Sequence, residues 1–307
     1  MRVLRVCLSV FCLCAALVSV RCNSPNNGAG FRDSLLLSTE NLEGYYNLND
    51  PERKYFLPYY LAEISGLAYK SPDTLLAVQD EKGTLYEFDP STGKVFKSIK
   101  FATPHDFEDL QLIGDSVFVL ESSGELMMFR LSDSINVKKK VRTIKTDLSI
   151  DNDTEGLGYD AKTRSLLIAC KGSGDIKKNK VDGKAVYRFD IDGMKLKTKP
   201  FFSITKKDLE KYFEVTKGRE YQADRFQFEP SAIAFNPADD LYYLMASVGK
   251  LIVVFDEDGV IHGTYSIPAS LLAQPEGMCF SPEGDLYMSS EGDGDKGYIL
   301  KYSLRRR

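Results

Sequence analysis

Short apolar stretches recur along the chain, and turn-forming residues separate each from the next. Early examples are Thr74–Gln79, Thr84–Phe88 and Lys94–Phe101, with Asp, Pro, Ser and Gly residues between them. Polar and apolar positions alternate within many of these stretches, and a period of two is that of a β-strand. The pattern therefore predicts an all-β chain of short strands joined by tight turns.

One seven-residue pattern occurs five times, with a polar third position and apolar fifth and seventh positions. The copies are Glu63–Tyr69, Asp106–Leu112, Asp153–Tyr159, Glu229–Phe235 and Gln274–Phe280. Their third residues are 43, 47, 76 and 45 positions apart. A strand-containing repeat of about 40 to 50 residues is typical of a β-propeller with one blade per repeat. The spacing predicts five blades of four strands within residues 41–304.

The fourth and sixth positions of the pattern are mostly Gly or Ala. Small residues suit the innermost strand of a blade, where neighbouring backbones approach one another near the axis. Copy two departs from this rule at Asp109 and Gln111. The repeats are thus expected to form the ring of inner strands.

The 76-residue interval is longer than one blade requires. We interpret residues 171–225 as a loop and a short helix inserted into one blade, and a sixth blade without the motif is the alternative. Thr205 and Asp208 have the spacing of a capping box, which predicts a helix within residues 205–215 that begins near Lys206.

The last repeat ends one strand short of a complete blade. After strand-like stretches at Asp285–Ser290 and Gly297–Tyr302 the sequence stops. We expect residues 44–49 or 55–60 to supply the missing outer strand, because closure removes the open sheet edge of an incomplete ring.

The first 21 residues have the layout of an export signal. Arg2 and Arg5 precede an apolar run that ends at Val20, with no acidic residue. That run is shorter than the roughly 20 residues of a membrane-spanning helix. Cys22 follows it and opens a polar stretch, 22–40, a layout that resembles a bacterial lipoprotein signal. This resemblance implies a lipid on Cys22, a flexible tether and a location at the bacterial cell envelope. Arg21 departs from the pattern, so a soluble secreted or periplasmic product is the alternative.

Composition narrows the range of partners. The net charge of −4 gives no electrostatic reason to expect a nucleic acid. We expect a monomer that binds an unknown protein or small molecule and meets a membrane only through the lipid. Cys170 and Cys279 lie in strand-like stretches without CxxC spacing or a nearby histidine, which favours buried free thiols.

Several phrases in the repeats resemble the SdiA-regulated family, distant relatives of NHL-repeat propellers. They include Glu-Ile-Ser-Gly-Leu-Ala-Tyr from Glu63, Asp-Phe-Glu-Asp-Leu from Asp106, Glu-Gly-Leu-Gly-Tyr-Asp from Glu155 and Pro-Glu-Gly-Met from Pro275. The resemblance runs over residues 45–304 and is weakest in 171–225. It implies a five-bladed propeller that holds a calcium ion, whereas the biochemical role of the family is unsettled.

Three repeats carry a glutamate at the third position, namely Glu108, Glu155 and Glu276. Ring closure is expected to bring them to one mouth of the central channel, where their charges repel unless a cation joins them. Calcium accepts oxygen-only ligands and irregular geometry, and the sequence has no His/Cys cluster suited to zinc. The other two copies have Ser65 and Ser231, so the ion is expected off-axis, near blades two, three and five.

Flanking acids extend this prediction and leave alternatives open. Asp106, Asp109 and Asp153 are expected to complete the calcium shell directly or through water. The glutamates could instead pair with Lys or Arg, or cap backbone N–H groups. The acidic runs 151–155 and 291–295 compete for the ion, although Gly-Asp runs also form plain turns.

The sequence favours a non-catalytic binding or scaffold module over an enzyme. It has no GxSxG nucleophile elbow, phosphate loop or HExxH motif. The alternative is a calcium-dependent hydrolase of the esterase, lactonase or phosphoesterase type, with the metal polarising a carbonyl and a base activating water. His105, next to the second repeat, is the candidate base, and a plain turn residue after Pro104 is its other interpretation.

Overall fold

The computed structural model describes residues 45–133, 140–213, 227–292 and 294–305. These residues form five antiparallel sheets, each beginning with one copy of the repeat. The predicted five-bladed propeller is confirmed. The export signal, Cys22 and the tether lie outside the described residues.

Each of the first three blades follows the chain outward from its repeat strand. Blade 1 contains β2 (Ile64–Ser71), β3 (Thr74–Gln79), β4 (Thr84–Asp89) and β5 (Lys94–Lys100). Blade 2 contains β6 (Phe107–Ile113), β7 (Ser116–Glu121), β8 (Leu126–Arg130) and β9 (Arg142–Ile144). Blade 3 contains β10 (Thr154–Asp160), β11 (Ser165–Cys170), β12 (Lys184–Asp190), β13 (Lys195–Leu196) and β14 (Phe202–Ile204).

The last two blades complete the ring. Blade 4 contains β15 (Glu229–Asn236), β16 (Leu241–Val248), β17 (Leu251–Phe255) and β18 (Ile261–Ser266). Blade 5 contains β19 (Pro275–Phe280), β20 (Leu286–Ser290), β21 (Tyr298–Tyr302) and, as its outer strand, β1 (Arg53–Phe56). Short 3-10 turns lie at Tyr59–Leu61, Leu131–Asp133 and Ile150–Asn152.

The repeat strands form the inner wall of the ring, as the small residues at their fourth positions predict. Each contacts the repeat strand of the next blade, and β19 contacts β2 to close the circle. A Cβ atom added to Gly156 would lie 2.8 Å from the backbone of Ala232 in the neighbouring blade. Glycine is therefore required there by the close approach of two backbones.

Five apolar clusters fill the spaces between successive blades. Leu157 and Leu120, for example, are completely buried between blades 2 and 3. Because the inner strands are apolar at the fifth position, each packs a large side chain against its neighbour. Burial of such side chains provides the main favourable free energy of the ring.

An N-terminal strand closes the propeller. β1 pairs antiparallel with β21, from Arg53 opposite Lys301 to Phe56 opposite Tyr298. This strand overlaps only the start of the second predicted segment, 55–60, whose last two residues lie in the 3-10 turn Tyr59–Leu61. The outer edge of blade 5 is thereby paired within the chain.

Of the first predicted segment, 44–49, the described residues 45–49 pack against the ring without joining a sheet. Tyr46 is completely buried in the cluster between blades 4 and 5. Its hydroxyl donates to the carbonyl of Gly284 at 2.6 Å and accepts from Asn236 at 3.1 Å. These two hydrogen bonds hold the N-terminal region against blades 4 and 5, in addition to the pairing of β1 with β21.

The long interval between the third and fourth repeats adds to blade 3. Its outer position is filled by two short strands, β13 and β14, which both pair with β12. Helix α1 (Lys206–Phe213) follows, and the Thr205 hydroxyl accepts from the Asp208 N–H while the Asp208 carboxylate accepts from the Thr205 N–H. The predicted capping box is confirmed, and the described part of the interval forms no sixth sheet.

The internal cysteines are free and buried, as predicted. Burial raises the pKa of Cys170 to about 12, so its thiol stays protonated and inert near neutral pH. In the described ranges, no helix has the length and apolar character needed to cross a membrane.

Candidate metal centre at the channel mouth

A β-bulge occurs at the third repeat position in every blade. The pairing register between the first and second strands shifts across residues 65, 108, 155 and 231, and between Pro275 and Met278 in blade 5. A bulge leaves one residue out of the ladder and redirects its side chain. The five-fold repetition explains how a polar residue is accommodated in an otherwise apolar inner strand.

Where the bulged residue is serine, it joins neighbouring blades. Ser65 donates to the carbonyl of Phe107 at 2.8 Å, and Ser231 donates to that of Pro275 at 2.7 Å. Both acceptors belong to the inner strand of the following blade. These short side chains therefore hold adjacent inner strands together.

Where the bulged residue is glutamate, the side chains interact across blades. Glu108 donates a hydrogen bond to Glu155, which requires a proton on Glu108. Burial, together with the charges of Glu155 and Asp106, raises the pKa of Glu108 to about 10. Burial also raises the pKa of Glu276 to about 8, with added repulsion from Glu155 and Glu291. The structure thus brings the three predicted glutamates into one electrostatic cluster.

Lys171 is a cation within this cluster. It directly follows β11, and its ammonium donates to Glu155 Oε1 at 2.7 Å. Burial lowers the pKa of Lys171, but the hydrogen bond and charge of Glu155 outweigh that effect and raise it overall. Glu155 therefore pairs with a lysine, which is one of the alternatives that the sequence left open. Lys171 is the first residue of the interval interpreted as an insertion, and its role at the mouth was not predicted from the sequence.

Further acids line the same mouth. Burial, together with the nearby carboxylates of Asp80 and Glu63, raises the pKa of Glu291 to about 7. Burial likewise raises the pKa of Asp80 to about 6. Glu291 directly follows β20, and Lys171 directly follows β11. Both residues therefore come immediately after the second strand of a blade, and this position is the signal that could have identified them. Asp293 lies outside the described residues.

The flanking aspartates have different positions. Asp106 raises the pKa of Glu108, and Asp153 raises that of Glu155. Asp153 also has a left-handed backbone, φ 45°, and its carbonyl accepts from the Lys171 N–H at 2.8 Å. Asp106 and Asp153 therefore belong to the electrostatic environment of the mouth.

The contacts of Asp109 contradict its predicted role as a metal ligand. Its side chain is completely buried, with Oδ1 accepting from the Leu110 N–H at 2.8 Å and Oδ2 from the Leu157 N–H at 2.7 Å. A third bond comes from the Leu67 N–H of blade 1. Both oxygens are thus occupied by backbone donors from three blades, and Asp109 links the inner strands.

His105 lies at the rim of blade 2 beside a buried carboxylate. Its Nδ1 is 3.6 Å from Glu121 Oε1, and the histidine side chain is 58% exposed. Glu121 is almost completely buried, and its Oε1 accepts no hydrogen bond from the described residues. Burial raises the pKa of Glu121 above its ordinary range. His105 therefore lies close to a buried carboxylate that was not predicted from the sequence.

No ready-made metal site exists in the described ranges. As the side chains stand, no group of three or more His, Cys, Asp or Glu residues is arranged to hold an ion. The chemistry of the donors nevertheless suits calcium, because the Glu108, Glu155 and Glu276 carboxylates and the Ser247 hydroxyl offer only oxygen atoms. Of these carboxylates, that of Glu155 is paired with the Lys171 ammonium group.

The region that contains the repeats matches one protein family. The model described as SdiA-regulated matches residues 57–293, which include every repeat and all three glutamates. The chain belongs to the SdiA-regulated family. No curated protein matches this family member significantly.

Solved structures share the fold of this SdiA-regulated protein at low sequence identity. Glutaminyl cyclase of Myxococcus xanthus is 13% identical with a TM-score of 0.54, covering 83% of this chain and 96% of its own. The PQQ-bound aldose sugar dehydrogenase of Streptomyces coelicolor is 11% identical with a TM-score of 0.51, covering 83% and 97% respectively. These similarities support the propeller architecture alone.

Proposed function

We propose that this propeller binds calcium at the channel mouth through Glu108, Glu155 and Glu276 and acts as a non-catalytic binding module. The observation that carries the proposal is the interaction of three bulged glutamates from three blades, with pKa values raised by burial and mutual repulsion. Such a cluster is unfavourable without cations. A divalent ion would neutralise more of it than one ammonium group does.

Calcium binding would require two changes at the mouth. Lys171 would release Glu155, and Glu108 would lose the proton that it shares with Glu155. Both changes lie within the cluster and leave the bulged backbone in place. We therefore expect metal affinity to reflect competition between Lys171 and calcium for the same carboxylate.

Calorimetry tests this proposal directly. Chelator-treated protein titrated with calcium is expected to bind one ion and to release protons, because Glu108 must ionise. Proton release is measured by repeating the titration in buffers with different heats of ionisation. Absence of any binding heat in all buffers, at calcium concentrations up to the millimolar range, would exclude the proposed site.

The pH dependence of stability tests the repulsion between the carboxylates without metal. The pKa of Glu276 is about 8 in the folded state against 4.5 for the free side chain, so the folded protein binds more protons between these values. With respect to this group, stability is highest below about pH 4.5 and falls as the pH rises towards 8. Glu276→Gln is expected to flatten this decline in melting temperature measured with chelator. An unchanged slope would indicate that Glu276 is ordinarily ionised.

A location at the cell envelope is the second part of the proposal. It rests on the charged N-terminus, the apolar run and Cys22, all of which are features of the sequence. We propose that a lipid on Cys22 anchors the mature protein. Fractionation of cells that produce the Cys22→Ala variant should move the protein from the membrane to the soluble fraction, whereas an unchanged distribution would reject the anchor.

A calcium-dependent hydrolase remains the second candidate function because His105 contacts Glu121. A carboxylate close to an imidazole is an arrangement found in general-base catalysis. The test is a screen with ester, lactone and phosphoester substrates. Turnover that disappears in His105→Ala would establish this candidate over the non-catalytic one, and a screen without turnover would eliminate it for these substrate classes.

A further inference from the structure

A buried carboxylate oxygen in blade 2 has no hydrogen-bond donor and lies beside an exposed histidine. Glu121 is the last residue of β7, its side chain is 6% exposed, and its Oε1 accepts no hydrogen bond from the described residues. The Ser123 side chain is a second polar neighbour of the same carboxylate. Buried polar atoms in folded proteins almost always have a partner, so an ion bound at Oε1 would account for this one.

The distance between this oxygen and the histidine is too long for a direct hydrogen bond. His105 Nδ1 lies 3.6 Å from Glu121 Oε1, whereas N–H···O hydrogen bonds extend to about 3.2 Å. The other histidine of the chain provides the comparison, because His262 Nε2 lies 2.8 Å from Asp256 Oδ2. The first pair is therefore close without being hydrogen-bonded, and the second pair is a direct contact.

The separation of 3.6 Å fits a shared metal ion better than a shared water molecule. A water molecule with ordinary hydrogen bonds to both atoms holds them about 4.6 Å apart at a tetrahedral angle. A tetrahedral zinc ion, with bonds of about 2.0 to 2.1 Å, holds two of its ligand atoms about 3.4 Å apart. A small rotation of the exposed imidazole is thus enough to place both atoms at the zinc distance.

The two atoms also select the kind of metal. An imidazole nitrogen together with a carboxylate oxygen suits zinc, whereas calcium takes oxygen ligands. Asp106 and Glu125 add negative charge near Glu121, although Glu125 is itself paired with Lys145 at 3.4 Å. The remaining charge around the pair favours a cation.

Two protein ligands leave the rest of the coordination shell open. In the described ranges no third His, Cys, Asp or Glu side chain is already in place beside them. Asp106 follows His105 in the chain and is exposed, so its carboxylate is free of packing that would prevent it from turning towards an ion. Water fills the other positions, as it does in zinc sites with few protein ligands.

We propose that His105 Nδ1 and Glu121 Oε1 bind a zinc ion at the rim of blade 2, with water and the Asp106 carboxylate completing its shell. This site is separate from the three glutamates of the mouth and does not depend on calcium binding there. The proposal concerns binding alone, so it holds with or without hydrolytic activity.

Zinc chloride titrated into the full mature chain tests this proposal. The chain carries Cys22→Ala, which removes the N-terminal thiol as a competing ligand, and is treated with chelator and desalted beforehand. We expect a binding step in calorimetry and a shift of the His105 imidazole signals in NMR spectra, with the His262 signals unmoved. Because the chain has only two histidines, His262→Gln assigns both sets of signals.

Variants locate the ion. His105→Ala and Glu121→Gln should each weaken zinc binding about tenfold or more, since even outer-shell partners of metal ligands are worth about 10- to 100-fold in affinity. His262→Gln, at the hydrogen-bonded histidine, is the matched control and should bind zinc like the parent protein. Glu155→Gln should also retain zinc binding, which separates this site from the proposed calcium site. Melting curves confirm that each variant is folded.

Two results would overturn the inference: imidazole signals of His105 that do not move at saturating zinc, or equal zinc affinity of His105→Ala and the parent protein. Loss of zinc binding in Glu155→Gln but not in His105→Ala would place the ion among the mouth glutamates, which rejects the blade 2 site and leaves the calcium proposal standing. Zinc binding that requires His105, in a protein that binds no calcium, would support the blade 2 site and reject the calcium site.

Discussion

Glu155→Gln is expected to abolish the stabilisation of the protein by calcium. Glu155 lies at the centre of the mouth, where it contacts Glu108 and Lys171 and raises the pKa of Glu276. At a calcium concentration of about 100 times the dissociation constant, the parent protein should gain about 2.7 kcal/mol in unfolding free energy. The amide cannot provide the same charge, so the variant should gain almost none of this. Thermal melting with chelator and with calcium measures the difference.

Two further variants separate metal binding from general stability. Lys171→Met removes the competing ammonium group and should strengthen calcium binding, which is the opposite effect at the same carboxylate. Glu257→Gln changes an exposed glutamate in the β17–β18 turn and should leave the calcium shift intact. If Glu155→Gln retains the full shift, or if Lys171→Met weakens calcium binding, the assignment of this cluster is wrong.

Asp109→Ala is expected to cause the largest loss of stability without metal. The carboxylate accepts from backbone N–H groups of Leu67, Leu110 and Leu157, and each becomes an unsatisfied buried donor when it is removed. A single such group costs about 1 to 3 kcal/mol, so a loss of about 3 kcal/mol or more is expected. Equilibrium unfolding in urea, with chelator present, measures it.

Asp109→Asn refines this test because it keeps the size of the side chain. One amide oxygen can still accept, but the NH₂ group faces backbone donors, so the variant should also be clearly destabilised. Asp73→Ala, at an exposed aspartate between β2 and β3, is the matched control and should have little effect. Stability equal to the parent protein in both Asp109 variants would show that the interblade hydrogen bonds contribute nothing measurable.

The ring of blades could be predicted because the sequence pattern that specifies each blade is short and occurs five times. Each copy of the pattern combines period-two apolar positions with small residues, and the spacing of the copies defines the blades. The helix beginning at Lys206 was equally local, since Thr205 and Asp208 cap each other across three positions. Such features depend on neighbours in the sequence and little on the rest of the fold.

The closing strand was only partly predictable. Two N-terminal segments had the required apolar character, and the choice depends on which register fits β21 and which side chains fit the interblade clusters. Arg53–Phe56 forms the strand, and Tyr46 is buried instead beside Gly284 and Asn236. The sequence of the segment alone does not show that the Tyr46 hydroxyl finds hydrogen-bond partners in blades 4 and 5.

The three glutamates at the channel mouth could be predicted from the sequence, whereas the lysine that pairs with one of them could not. Equivalent repeat positions identified Glu108, Glu155 and Glu276, because symmetry places equivalent residues at the same height in the ring. Lys171 and Glu291 stand outside the repeat, and their roles depend on where the second strands end. Asp109 was misassigned because its partners, Leu67 and Leu157, come from neighbouring blades.

A crystal structure grown in calcium tests the central claim most directly. We predict an ion held by Glu108, Glu155 and Glu276, with the Lys171 ammonium group withdrawn from Glu155. A mouth in which Lys171 still donates to Glu155 at saturating calcium, with no ion among the three glutamates, would contradict the account.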